Sequence, residues 1–302
     1  MADDILHKPL NQQVIVITGA SSGIGLATAR MAAREGARLV LAARSEPALQ
    51  QIADELSALP ACEAVAVACD VGRREDVDRV AATALERFGR IDTWVNDAGV
   101  AIYGRLEEVS EADSRRLFDT NFWGVVNGSL AALPHLRRHG GALVNVGSEV
   151  SDAVIPLQGM YSASKHAVKG FTDALRVEVE VVERAPLSIT LIQPTAVDTP
   201  YPQHARNYMD REPKLPTPQI DPEDVARAIL KAATHGGRDV KVGAMSTLDT
   251  LASKVMPGVA DKMAALQDDR QQADEPPRNP EGALFRPSGG GTERGRGGAL
   301  HH

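Results

Sequence analysis

Cysteine is nearly missing: two residues in a chain of 302 leave no covalent scaffold. Cys62 and Cys69 bracket the run "EAVAVA", and an extended segment would hold their Cα atoms well beyond the ~5.5 Å that a disulfide tolerates. Reduced thiols are therefore expected, which favours a cytoplasmic protein. Long apolar runs are missing too; no stretch approaches the roughly 20 residues needed to span a bilayer. The N-terminus "MADDILHKPL" carries acidic residues where an export signal is basic, so no signal peptide is expected. There is no excess of positive charge, since the net charge is −7, and so no electrostatic case for gripping nucleic acid or an anionic membrane. A short "RGRGG" near the C-terminus does not change that. Metal-ligand spacing is lacking as well. His135 and His139 stand i,i+4 in "LPHLRRHG", but at a helix end, and they are expected to be solvated rather than ligating.

What the chain does have is a repeated alternation. Short apolar, β-branched runs occur at 14–18, 38–43, 64–68, 93–96, 142–147, 188–193 and 239–243, with helical segments between them. Runs without polar alternation suit strands covered on both faces, and the intervening helices supply the crossovers. The expected fold is α/β, a Rossmann-type doubly wound parallel sheet of about seven strands with helices on both faces. An N-terminal arm at 1–10 precedes a catalytic domain at 11–245. Within that domain the proline-rich 195–220 reads as a substrate loop, with a short helix expected around 204–209. Asp221 and Pro222 then restart a helix as cap and first-turn residue. Residues 246–267 read as a helical extension, and 268–302, rich in proline, glycine and charge, as a tail without fixed structure.

Two stretches carry chemistry. "TGASSGIG" at 18–25 follows the first strand and opens the first helix, where glycines admit a pyrophosphate and the helix start offers unpaired N–H donors. "GMYSASKHAVKGF" at 159–171 puts Tyr161 and Lys165 on one helix face. Ser148 lies at the end of the fifth run and Asn121 on the preceding helix. Since open α/β sheets bind ligands at strand carboxyl ends, Ser148 and Tyr161 should border one crevice. His166 and Lys169 read as helix surface.

Together these motifs resemble the classical branch of the short-chain dehydrogenase/reductase family over roughly residues 11–245. The resemblance implies a nicotinamide cofactor held by Gly19, Ser21, Ser22, Gly23, Ile24 and Gly25. Asp70 and Val71 would lie beside the adenine. Asn96, Ala98 and Gly99 match the turn after the fourth strand, where Asp97 replaces the family's second asparagine. Pro194, Val197 and Thr199 match the segment that meets the nicotinamide carboxamide, although Thr195 stands where glycine is usual. At the end of the second strand Ala43 occupies the position of an acidic residue that would select NAD, and Arg44 and Ser45 follow; NADP(H) is preferred and NAD(H) possible.

The resemblance also assigns roles. Tyr161 is the general acid or base, and Lys165 its electrostatic partner and a donor to the nicotinamide ribose. Ser148 orients the substrate oxygen, and Asn121 holds a water leading from Lys165 to solvent. A neighbouring ammonium and the oxidised nicotinamide would lower a phenol pKa that is ordinarily about 10. No metal is needed. Glu149, Val150, Met160, Tyr201 and His204 are candidate substrate-pocket residues, and mostly apolar walls suggest a hydrophobic ketone or secondary alcohol. The expected activity is that of an NADP(H)-dependent carbonyl reductase or alcohol dehydrogenase. An NAD-linked secondary alcohol or hydroxysteroid dehydrogenase is the alternative enzyme, and a non-catalytic NADP(H)-sensing regulator the alternative of another class. Apolar faces on the helices near 111–136 and 160–183 suggest, by the same resemblance, a homo-oligomer, a dimer or tetramer.

Overall fold

The computed structural model describes residues 7–244 and 256–295. Strands β1 (Val14–Thr18), β2 (Arg38–Ala43), β3 (Glu63–Ala68), β4 (Thr93–Asn96), β6 (Gly141–Val146), β7 (Leu187–Pro194) and β9 (Asp239–Val242) form one sheet in the order β3-β2-β1-β4-β6-β7-β9. Every neighbouring pair is parallel.

Successive side chains of a strand point to opposite faces, and the chain uses both. Ile15, Ile17, Leu39, Leu41, Ala142 and Val144 face one layer with α1 (Gly23–Arg34), α2 (Glu46–Ser57) and α8 (Pro222–His235). Val16, Val40, Ala42 and Leu143 face the other, with α3 (Arg74–Phe88) and α5 (Gly124–His139). That is why β1 reads as an unbroken apolar run: all five of its residues are buried. Each such Ile or Leu contributes roughly 1.5–3 kcal/mol by leaving water. Asp221 caps α8 as expected, accepting from Glu223 N at 2.9 Å.

The strand order reverses between β1 and β4. Connections from β1 lead towards β3 on one side, and those from β4 lead away on the other, which opens a crevice at the strand carboxyl ends. α4 (Glu111–Phe118), a single π-helical turn at Asp119–Trp123 and α6 (Gly159–Arg176) border it.

Two expectations need correction. The proline-rich loop carries its short helix, α7, at Tyr201–His204, earlier than expected. It is followed by strand β8 (Arg206–Asn207), which pairs with β5 (Ile102–Tyr103) in a ribbon outside the main sheet. Two-residue strands are too short to show a period in the sequence. The helical extension appears as α9 (Pro257–Ala265), and its earlier part falls outside the described residues. Most consequentially, Asp268–Gly295, expected to lack fixed structure, packs along the crevice. Its one regular element is a 3-10 turn at Asp269–Gln271, but its backbone groups and a few buried anchors find partners: Leu284 and Gln271 are both wholly buried.

Candidate active site

The crevice floor is tied together by Thr18, at the end of β1. Its hydroxyl donates to Val95 O at 3.3 Å and accepts from Asp97 N and Ala98 N at 3.2 and 3.3 Å. The turn after β1 and the turn after β4 are thus one unit. Gly19 sits at φ +75°, and a Cβ there would come within 2.8 Å of Ala98 N and Cα, so this contact requires glycine. Gly25 packs on Gly19 O, and its N–H bonds the half-buried Asp97 carboxylate.

Above this floor lies one continuous cavity of about 250 Å³. It runs from Ser21, Ser22, Gly23 and Ile24, past Arg44, Ser45, Asp70 and Val71 on one side, to Ser148, Tyr161, Lys165 and Thr199 on the other. Such a shape fits a dinucleotide. A helix start with N–H donors occupies the middle, the Arg44 guanidinium one end, and a phenol with an ammonium the other.

At the phenol end, the side-chain hydrogen bond from Ser148 favours the Tyr161 phenolate. Burial nevertheless dominates and pushes the phenol up to about 12, with Glu149 and Asp97 adding to the rise. The expectation of a lowered phenol pKa is therefore not met by the chain's own groups; the positive nicotinamide is the remaining contributor. Burial likewise brings the Lys165 ammonium down to about 8, opposed by the Asp97 charge. Lys165 Nζ donates to Val146 O at 2.9 Å and lies 5.7 Å from the Tyr161 ring centre. Asp97 itself rises to about 7 through burial, with Lys165 opposing.

Ser148 begins a short 3-10 turn, and its hydroxyl accepts from Val150 N at 3.3 Å. Tyr201 stands edge-on to Tyr161, with ring centres 5.4 Å apart, and its hydroxyl donates to Gln158 Oε1 at 2.7 Å. Tyr103 stacks edge-on behind Tyr201 at 6.4 Å.

Residues 13–210 match the short chain dehydrogenase family. The chain belongs to that family. Short chain dehydrogenases are NAD(P)-linked oxidoreductases that move hydride between the nicotinamide and a carbonyl or alcohol carbon, and this chain is one of them. The oxidoreductase YxnA of Bacillus subtilis is 46% identical over 293 residues, covering 95% of this chain and 82% of that protein. An alcohol dehydrogenase of Thermococcus sibiricus, solved with 5-hydroxy-NADP, superimposes with a TM-score of 0.65 at 33% identity; the match covers 76% of this chain and 94% of that one. A 3-ketoacyl-(acyl-carrier-protein) reductase of Brucella melitensis, solved with NADH, does so at 0.68 and 27% identity, covering 78% and 99%. Either nicotinamide is thus compatible with the family fold. Among the described residues no helix is long and apolar enough to cross a membrane, and no His/Cys/Asp/Glu cluster could hold a metal.

Within this short chain dehydrogenase several sequence-expected residues take other places. Asn96 does not line the cavity. It donates to Asn145 Oδ1 at 2.9 Å and to Ser129 Oγ at 3.2 Å in a buried network behind the crevice. Asn121 is fully buried, bonded to Val100 N and O and to Ser164 Oγ at 2.8, 3.0 and 3.1 Å. It holds the loop after β4 against α6. Gly25 lies beneath the lining, and Met160 is half-buried on α6 but outside the cavity wall, because its neighbour Tyr161 takes the helix face that looks inward. Glu149, Val150, Tyr201 and His204 do line it, as do Ala98, Gly99, Pro194 and Val197.

Sequence reasoning missed the hydrogen bond that Asp97 accepts from Gly25, and the cavity-lining Ala283, Pro287 and Ser288. The change from asparagine to aspartate in "NDAG" was the only available signal for the first. Nothing local signals the last three.

Proposed function

We propose that this short chain dehydrogenase reduces an apolar ketone with NADPH, Tyr161 protonating the carbonyl oxygen. The observation that carries the reading is the joining of the Tyr161 phenol, Ser148 and Lys165 to the glycine-rich turn in one cavity. The bound cofactor supplies the hydride. Tyr161 delivers a proton to the developing alkoxide, and Ser148 hydrogen-bonds and orients the same oxygen. Lys165 stabilises the resulting phenolate and anchors the nicotinamide ribose. Thr199 and Val197 hold the carboxamide edge, while Val150, Tyr201 and His204 form the substrate wall, edged by Glu149. Asn121 acts from behind by fixing α6 and the loop after β4.

The cofactor preference rests on Arg44 at the end of β2, with Ala43 in place of a carboxylate that would repel a 2′-phosphate. Kinetics with a panel of apolar ketones test the reading. NADPH consumption at a higher kcat/KM than NADH is expected, and equal efficiency would refute the preference. Nucleotide binding without turnover of any carbonyl would refute the reductase in favour of a sensor. A homo-oligomer belongs to the same reading, supported by the exposed Leu130 on α5 and Trp123, Val177 and Val181 in the helical turns that precede α5 and follow α6. Sedimentation showing only a monomer would contradict it.

A further inference from the structure

The C-terminal segment does more than cover the crevice. Its course is fixed by buried anchors. Gln271 donates to Pro156 O at 2.9 Å and accepts from Gln158 at 2.6 Å, and Ala273 N donates to Glu212 O at 2.8 Å. Further on, Asn207 N donates to Pro280 O at 2.8 Å and Ala283 N to His204 O at 2.7 Å. Leu284 is wholly buried against Val100, Ile102 and Leu117.

That anchoring places two carbonyls at the cationic end of the cavity. Arg44 Nη1 donates to Leu284 O at 3.0 Å and Nη2 to Ala283 O at 2.5 Å. Arg116, reaching from α4, donates its Nε to the same Leu284 O at 3.2 Å and Nη2 to Asp70 at 2.6 Å. One carbonyl therefore gathers two guanidinium groups that would otherwise repel each other, with the Asp70 carboxylate paired to Arg116 beside them. Each guanidinium has five N–H donors, so both keep free donors after these bonds.

We propose that the docked segment around Ala283–Leu284 is a positioning element of the cofactor site, holding Arg44 and Arg116 together as a two-arginine receptor for the 2′-phosphate of NADP(H). A planar fork fixed before the ligand arrives loses less freedom on binding, and two cations bond a phosphate dianion better than one. The inference rests on the NADP reading above, and it adds Arg116 and a segment some 240 residues from Arg44 to that reading. Farther along, Gly291 N donates to Ser21 O at 2.8 Å and Thr292 O accepts from Gly23 N at 3.0 Å. The Gly23 donor is thus engaged by the outer part of the segment, whereas the Leu284 anchor sits apart from it among Val100, Ile102 and Leu117.

The test is calorimetry of the full chain with two probes, adenosine 2′,5′-bisphosphate and 5′-AMP, which differ only in the 2′-phosphate. The parent should bind the bisphosphate about 10-fold or more tightly than AMP. Leu284→Asp removes the anchor. Gly282→Val removes it by a different route, since Gly282 has φ +57° and its Cβ would lie 2.2 Å from Ala205 O. Arg116→Met removes the second cation and leaves the segment's anchors in place. All three should bring the ratio to within about threefold, with AMP affinity and the thermal transition retained. A parent ratio of tenfold that survives in Arg116→Met and in either folded segment variant overturns the inference. Loss of the ratio in Arg44→Met would then leave the NADP reading standing. A parent ratio near one overturns both.

Discussion

The two ends of the crevice are built differently. At the nicotinamide end, Ser148, Tyr161 and Lys165 come from one strand end and the helix that follows, within eighteen residues of sequence. Their positions follow from β6 and α6 being core elements. At the adenosine end, Arg44 and Arg116 stand on separate elements and meet only through a carbonyl from the far C-terminus. In the proposed reading, chemistry is fixed by the sheet, whereas cofactor selection depends on a segment that can be altered without touching the sheet. Mutations at the first end should strike turnover, and those at the second should strike nucleotide choice.

The largest effect is expected at the phenol. Tyr161→Phe removes the proton donor and should lower kcat by about 10²–10⁴, with NADPH affinity retained. Steady-state kinetics with a titration of NADPH fluorescence separate the two quantities. Next is Arg44→Met, which should lower kcat/KM for NADPH by about 10- to 100-fold and leave kcat/KM for NADH nearly unchanged. A comparable loss with both nucleotides would blur the distinction between the ends.

The smallest effect sits between them. The charge of Asp97 raises the Lys165 pKa towards its value of about 8, so removing that charge lets Lys165 lose its proton at lower pH. Asp97→Asn should therefore move the alkaline limb of the kcat/KM profile for ketone reduction to lower pH. An unmoved or upward-moving limb would exclude Asp97 from the electrostatics of the site. In the opposite reaction, Tyr161 must be deprotonated. Its rise to about 12 means that alcohol oxidation should increase with pH across the neutral range.

What the sequence disclosed follows the same division. The seven strands were legible because residues such as Val14–Ile17 are buried on both faces, and such strands need unbroken apolar runs. Tyr161 and Lys165 were legible because helix spacing and a motif coincide. Asn96 and Asn121 were legible as motif residues but not as to place. Their side chains serve buried networks, and the sequence does not state which neighbours they find. The C-terminal segment was illegible for a physical reason. It makes its contacts through backbone groups, a few scattered polar side chains such as Gln271 and a buried leucine, and no periodicity or composition marks such contacts. Arg116 was missed with it, because an arginine on an amphipathic helix reads as solvated until the carbonyl of Leu284 is seen beside it.

The central claim is that this crevice transfers hydride from a nicotinamide to a carbonyl carbon, with Tyr161 supplying the proton. It is tested most directly by following deuterium from NADPH deuterated at the nicotinamide C4, through the parent and Tyr161→Phe, into the alcohol products of a ketone panel. The account predicts one deuterium at the carbinol carbon of the parent's product and almost no product from the variant, although the variant still binds NADPH. Products without deuterium, or equal labelled product from Tyr161→Phe, would contradict it.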